Sequence, residues 1–325
     1  MRARIVATGS VAPPRVLRNT DLGDMVETSD EWIAERTGIR ERRVVAEGVA
    51  SSDLGTEAAR AALAAGEWDP ADLDLILVAT CTPDMLLPST ACLIQRNLKA
   101  HRAMAFDLAA ACSGFLYGLS VADLYVRTGT CRRALVIGTE VMSAIVDWTD
   151  RSTCILFGDG AGAVLVEPTL DDRGILSTHL HSDGDLWDLV CVPGGGSRLP
   201  ASDHMLANRQ QYMKMKGHET FKVAVKTLES TAREALTANK MDVKDVDLFI
   251  PHQANLRILN AVVERLGLEK DRVVINMDRY GNTSAASIPL ALDQAVRAGR
   301  VAPGCRILMA AFGAGLTWAS AVVKW

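Results

Sequence analysis

DLDLILVAT at 72–80 and DVDLFIPHQAN at 245–255 decide the fold, because they are two versions of one segment. Each opens on Asp-x-Asp and runs on as an apolar stretch suited to a strand buried on both faces. A helix-like stretch precedes each, SSDLGTEAARAALAAG at 51–66 and FKVAVKTLESTAREALTANKMDVK at 221–244. Asp72 and Asp74 thus recur as Asp245 and Asp247, an offset of 173. A repeat of such long period sets the architecture before any motif is weighed.

The likeness extends downstream. AFDLAAACSGFLYGLSVADLYVRTG (105–129) resembles VVINMDRYGNTSAASIPLALDQAVRAG (273–299), with Asp123, Val126, Arg127 and Gly129 answered by Asp293, Val296, Arg297 and Gly299. In both, a strand ends at a small-residue turn, a helix follows, and a glycine closes it as a C-cap would. The offset is here 170, which sets Cys112 opposite Asn282. The expected fold class is α/β, built from two βαβ-rich halves, 1–172 with the cysteine and 173–325 with the histidine and asparagine. Residues from about 168 to 220 read as loops and excursions.

A chain of 325 residues, 49% hydrophobic, can bury a sizeable core. Its net charge of −4 leaves no global basic surface, so nucleic acid is not an expected partner. The cysteines, at 81, 92, 112, 131, 154, 191 and 305, are odd in number and never spaced C-x-x-C. They suit neither a disulfide framework nor a zinc cluster, and point to a reducing cytoplasm. MRARIVATGSVAPP at the start is too short and too interrupted for a signal or membrane segment, so no membrane association is expected.

Three residues carry the chemistry. Cys112, in DLAAACSGF, falls where a strand gives way to a helix; the positive helix end is expected to lower its thiol pKa and favour thiolate. His252 follows a buried run in which Pro251 stops the ladder, so its ring is delivered at the strand end. Asn282 lies in RYGNTSAAS, before a helix. Each has a plainer alternative: an inert buried thiol, a structurally satisfied histidine, a turn or N-cap asparagine. Together they sit at the carboxyl edge where open α/β sheets hold ligands, as a nucleophile with two polar partners.

WIAERTGIRERR (32–43), DLAAACSGF (107–115), LFGDGAGAV (156–164), PHQANLRI (251–258), YGNTSAAS (280–287) and FGAGLTW (312–318), in this order, resemble the β-ketoacyl-acyl-carrier-protein synthase III family of the thiolase-like superfamily. The resemblance spans nearly the full length and implies a layered α-β-α-β-α fold in a cytoplasmic homodimer. It implies that Cys112 takes the acyl group of a short acyl-CoA. Malonyl-acyl-carrier protein then loses CO₂ with His252 and Asn282 stabilising the carbanion, and backbone N–H groups of Cys112 and Ala314 form the oxyanion hole. Thr28, Trp32, Arg36, Arg151, Gly217, Phe221 and Asn255 would bind CoA, which enters as substrate, with no cofactor. Leu87, Met142, Phe157, Leu189 and Phe312 would shape the acyl pocket. Lys214, Lys222 and Arg257 would form a rim for the acidic carrier protein.

The chain departs from the family pattern at three places. Ala314 stands where many relatives have glycine, so an αR or β conformation is expected there. His218 replaces a frequent asparagine near the pantetheine. Leu87 takes the place of a phenylalanine that in some relatives closes the pocket across a dimer, which leaves room for a longer or branched primer. Two rival functions keep the fold: a condensing enzyme with another acceptor, and a non-catalytic partner subunit. GDGAG at 158–162 is followed by a strand pattern and so is not expected to bind a dinucleotide. His179 and His181 form an H-x-H pair with no third ligand at useful spacing, so no metal is expected.

Overall fold

The computed structural model describes residues 1–325. The first half runs β1 (Arg2–Val11), β2 (Val16–Arg18), α1 (Asn19–Gly23), α2 (Asp30–Thr37), β3 (Glu41–Arg43), α3 (Ser51–Gly66) and β4 (Leu75–Ala79). It continues through α4 (Thr90–Leu98), β5 (Met104–Leu108), α5 (Gly114–Arg127), β6 (Ala134–Glu140), α6 (Arg151–Cys154) and β7 (Gly160–Thr169). The second half comprises β8 (Gly174–Ser182), β9 (Val190–Cys191), α7 (Asp203–Ala207), β10 (Lys214–Met215), α8 (Gly217–Ala238) and β11 (Leu248–Pro251). After these come α9 (Leu256–Leu266), α10 (Met277–Tyr280), α11 (Ser287–Arg297), β12 (Arg306–Gly313) and β13 (Thr317–Lys324).

Two mixed sheets carry the repeat. The first is ordered β1-β7-β6-β4-β5, the second β8-β13-β12-β11, with a single parallel bridge between Phe249 and Val273 where a fifth strand would lie. Side chains alternate along the buried strands: Leu75 and Leu77 face one way, Ile76 and Val78 the other. The first pair joins a core shared by both halves, in which α5 and α11 lie between the sheets. The second pair packs under α3 and α4. Phe249 and Leu308 likewise turn outward beneath α8 and α9. The result is the layered α-β-α-β-α arrangement.

The structure corrects one alignment. α5 begins at Gly114 and α11 at Ser287, an offset of 173, yet they end at Arg127 and Arg297, an offset of 170. α11 is therefore shorter, 11 residues against 14. The 3-10 turn Ala111–Ser113 ahead of α5 matches Ser284–Ala286 ahead of α11. Ala285, not Asn282, is the counterpart of Cys112.

Candidate active site

Cys112 occupies the 3-10 turn between β5 and α5, directly after Ala111, whose φ is +46°. Its neighbour across the halves is the end of β12, where a Cβ on Gly313 would fall 2.7 Å from the Cys112 nitrogen. Only glycine permits that approach, and through it the nucleophile's turn meets the segment that holds Ala314. Ala314 has no positive φ, as expected, and the positive φ of this turn, +131°, falls on Gly315.

His252 follows β11, as expected, and is fully buried. Its backbone N–H bonds Ala310 O at 2.8 Å, extending the pairing with β12 by one residue. Nδ1 lies 2.7 Å from Ser287 Oγ at the start of α11. Burial pushes the imidazole down to about 3, so the ring is neutral near pH 7. Asn282 is clamped by backbone bonds to Leu156 O at 2.8 Å and from Gly158 N at 3.1 Å. Its Oδ1 accepts from Ser284 N at 2.8 Å, which commits the oxygen and leaves Nδ2 without a partner in the chain.

Cys112, His252 and Asn282 line one cavity of about 360 Å³, together with Gly313 and Ala314. Nineteen of its 26 lining residues are hydrophobic, so charge inside it is met by a few placed groups. Cys112 does not carry the lowered pKa expected of a helix start. Burial pushes the thiol up to about 12, against the downward pull of the Ser284 hydroxyl; Glu140 adds to the rise, and the residue's own N–H opposes it. Desolvation wins over the helix end.

A neutral imidazole and an amide lining one apolar cavity with a thiol suit thioester chemistry, and the comparisons agree. The family model described as 3-oxoacyl-(acyl-carrier-protein) synthase III matches residues 106–184, and its C-terminal counterpart matches 236–325. The chain belongs to the 3-oxoacyl-(acyl-carrier-protein) synthase III family. It is 52% identical over 324 residues to the β-ketoacyl-(acyl-carrier-protein) synthase III of Alkalilimnicola ehrlichii, covering 99% of each chain. Identity to the same enzyme of Thioalkalivibrio sulfidiphilus is 53% over 322 residues, again 99% of each. The crystal structure of 3-oxoacyl-(acyl-carrier-protein) synthase III from Aquifex aeolicus superposes with a TM-score of 0.92 at 46% identity, over 99% of this chain and 100% of that one. The chain is thus an acyltransferase of the condensing type, and neither rival reading is favoured.

Other residues ascribed to the synthase III site fall in several places. Gly217, Phe221 and Asn255 line the same cavity. Asn255 also caps α9 and donates from Nδ2 to Arg36 O at 3.1 Å, tying that helix to the end of α2. Trp32 is half-buried outside the cavity, with the Arg36 guanidinium 4.4 Å and that of Arg151 4.7 Å from its ring. Thr28 Oγ1 is shielded and has no partner. Lys222 and Arg257 are exposed on α8 and α9, with Arg257 5.9 Å over Phe221; Lys214 is half-buried in β10. His218 is exposed in the first turn of α8.

Met142, Phe157 and Phe312 line the cavity as expected, but two acyl-pocket assignments do not hold within this chain. Leu189 turns into the core under α8, and its neighbour Val190 faces the cavity instead. Leu87 is 85% exposed on the loop before α4. Sequence reading passed over Cys81, Ile145, Met213 and Ser284, all of which line the cavity. Cys81 had a usable signal, since it follows an interior parallel strand at its carboxyl end. Its Sγ lies 3.2 Å from Glu140 Oε1 and 3.7 Å from Ser284 Oγ.

The two motifs set aside also find their places. GDGAG opens β7, and Asp159 within it accepts from Ser143 N, Ser143 Oγ and Val45 N at 2.6 to 2.9 Å. His179 and His181 do have a carboxylate beside them, because α8 brings Glu234 to 3.5 and 2.7 Å. The spacing in sequence could not show it.

Proposed function

We propose that this enzyme condenses a short acyl-CoA primer with malonyl-acyl-carrier protein, releasing CoA and CO₂ and giving a 3-ketoacyl-acyl-carrier protein, the step that initiates fatty-acid synthesis. The observation that carries this reading is the meeting of Cys112, a neutral His252 and the free amide of Asn282 in one apolar cavity.

In the first half-reaction the Cys112 sulfur attacks the acyl-CoA carbonyl, and the oxyanion takes the N–H groups of Cys112 and Ala314. The C–S bond to CoA breaks, and CoA leaves as the thiol with the proton that Cys112 gave up. Trp32, Arg36, Arg151 and Thr28 hold the nucleotide end, and Gly217, Phe221 and Asn255 flank the pantetheine. Malonyl-carrier protein then threads the same path, guided by Lys214, Lys222 and Arg257.

Apolar walls disfavour the malonyl carboxylate relative to neutral CO₂. As the C–C bond breaks, its electron pair passes to the thioester oxygen, which accepts from His252 Nε2–H and Asn282 Nδ2–H. With Ser287 Oγ donating to Nδ1, the neutral ring keeps its proton at Nε2. An imidazolium would protonate the carbon instead. The carbanion attacks the Cys112 thioester, and the released thiolate takes up a proton.

Primer size follows from Met142, Ile145, Phe157, Met213 and Phe312, a wall whose methionines adapt to shape. A second copy of the chain is a further part of the proposal. β5 is an unpaired sheet edge, and Met85, Leu86 and Leu87 are exposed beside the segment that leads to it. All seven cysteines are free, in keeping with a reducing compartment such as the cytoplasm. No helix is long and apolar enough to cross a membrane.

Intact mass spectrometry tests the central claim. After mixing with acetyl-, isobutyryl- or hexanoyl-CoA, an adduct should form on Cys112 and be discharged by malonyl-carrier protein. Absence of an adduct with every acyl-CoA would sink it.

A further inference from the structure

The two donors of the oxyanion hole belong to different halves of the chain, Cys112 at the start of α5 and Ala314 in the turn after β12. No covalent path of useful length fixes their spacing; the close approach of Gly313 to the Cys112 nitrogen brings the segments together, and side chains bridge them. Thr317 bonds both segments. Its Oγ1 donates to Ala110 O at 2.8 Å and reaches Ala314 O at 3.3 Å. Ser113 Oγ answers by donating to Thr317 O at 3.1 Å. The two hydroxyls thus clasp the nucleophile's turn on either side of Cys112, where Ala111 is held at φ +46°.

The outer side of the same turn is anchored independently. Leu316 and Asp183 exchange both backbone bonds, at 2.7 and 2.9 Å. Trp318 stacks on His181 with ring centroids 5.6 Å apart, and His181 is held by Glu234 at 2.7 Å. Tyr117 of α5 donates to His181 O at 2.7 Å. With β8 holding the turn from outside, removal of one hydroxyl from inside should loosen the donor spacing without unfolding the turn.

We propose that Thr317 is a positioning residue, whose hydroxyl sets the Ala314 N–H against the Cys112 N–H so that both reach one oxyanion. It acts through those two donors and touches no reacting atom. The inference rests on the reading that Cys112 is acylated from acyl-CoA. Donor placement matters because such a hole acts on charge that develops only in the transition state, and a small displacement weakens it steeply.

The test compares Thr317→Val, which keeps the shape, with Thr317→Ser, which keeps the hydroxyl. Single-turnover acylation by acetyl-CoA, read by intact mass, should slow roughly tenfold or more in Thr317→Val, with half-saturation moving less than about twofold. Thr317→Ser should recover most of the rate. Decarboxylation of malonyl-carrier protein, measured in Cys112→Ala with and without Thr317→Val, should be equal, because His252 and Asn282 perform it. Wild-type acylation rates in Thr317→Val overturn the proposal, as does equal loss of acylation and decarboxylation, or failure of Thr317→Ser to rescue. A wild-type enzyme that no acyl-CoA acylates brings down the functional reading and this inference with it.

Discussion

Ala111 and Ser284 hold the same strained position in the two halves: each is a non-glycine residue at positive φ, +46° and +48°, opening a 3-10 turn ahead of a helix between the sheets. The left-handed conformation costs an L-residue roughly 1–2 kcal/mol, and the fold accepts that cost twice at one site. In the first half the turn presents Cys112. In the second it presents the Ser284 hydroxyl to the cavity, 3.7 Å from Cys81 Sγ and placed to pull the Cys112 pKa down.

Ser284→Ala should therefore fold, since Ala111 already shows that alanine is accepted in this geometry. It removes the hydroxyl that pulls the Cys112 pKa down. Acylation by acyl-CoA should slow by about tenfold, the worth of one hydrogen bond to the developing thiolate, while the melting temperature changes little. Unaltered acylation would dismiss the hydroxyl from the nucleophile's environment.

Alkylation reads the thiol directly. With the Cys112 pKa pushed up to about 12, the thiolate fraction rises about tenfold per pH unit through pH 7 to 10 without levelling. Iodoacetamide labelling of the Cys112 peptide, followed by mass spectrometry, should show that slope. A plateau below pH 9 would mean that the helix end, and not burial, governs the thiol.

Cys112 and His252 were legible because they follow strands β5 and β11, whose ends are marked in sequence by small residues and proline, whereas Asn282 follows the short helix α10 and its capping Gly281. Their environments were not. The Cys112 pKa depends on what covers the thiol, and that cover comes from Ser284, Glu140 and the end of β12, all remote in the chain. The repeat was legible except at its most consequential point. Gly129 and Gly299 both end helices, so aligning them was sound, but α11 is shorter at its start and the turns ahead of the helices keep the older offset. Leu189 was misplaced for a similar reason: β9 has two residues, too few for alternation to reveal which neighbour faces the cavity.

Trp32 separates binding from chemistry. It lies outside the cavity that holds Cys112, stacked with Arg36 and Arg151, so its contribution should fall on the nucleotide end of CoA. Trp32→Ala should raise KM for acetyl-CoA about tenfold with kcat within about twofold, the pattern of lost uniform binding. A kcat loss equal to the KM change would tie the indole to the reacting end instead.

His252 makes a prediction about stability as well as rate. Its folded pKa is depressed to about 3 against 6.5 for the free side chain, so the unfolded chain binds a proton that the folded one refuses. The sign follows from linkage: above pH 6.5 neither state is protonated and the term vanishes, and as pH falls from 6.5 toward 3 stability is lost by up to about 1.4 kcal/mol per unit. The buried carboxylates Glu140 and Asp159, raised by burial, act in the opposite direction, so the absolute curve mixes both. The difference between wild type and His252→Asn isolates the histidine. Urea unfolding at pH 7.5, 6.5, 5.5 and 4.5 should show the two proteins diverging only below pH 6.5, with the variant losing less on acidification. Parallel curves across that range would mean the imidazole titrates as it does in the unfolded chain, and burial would not hold it neutral.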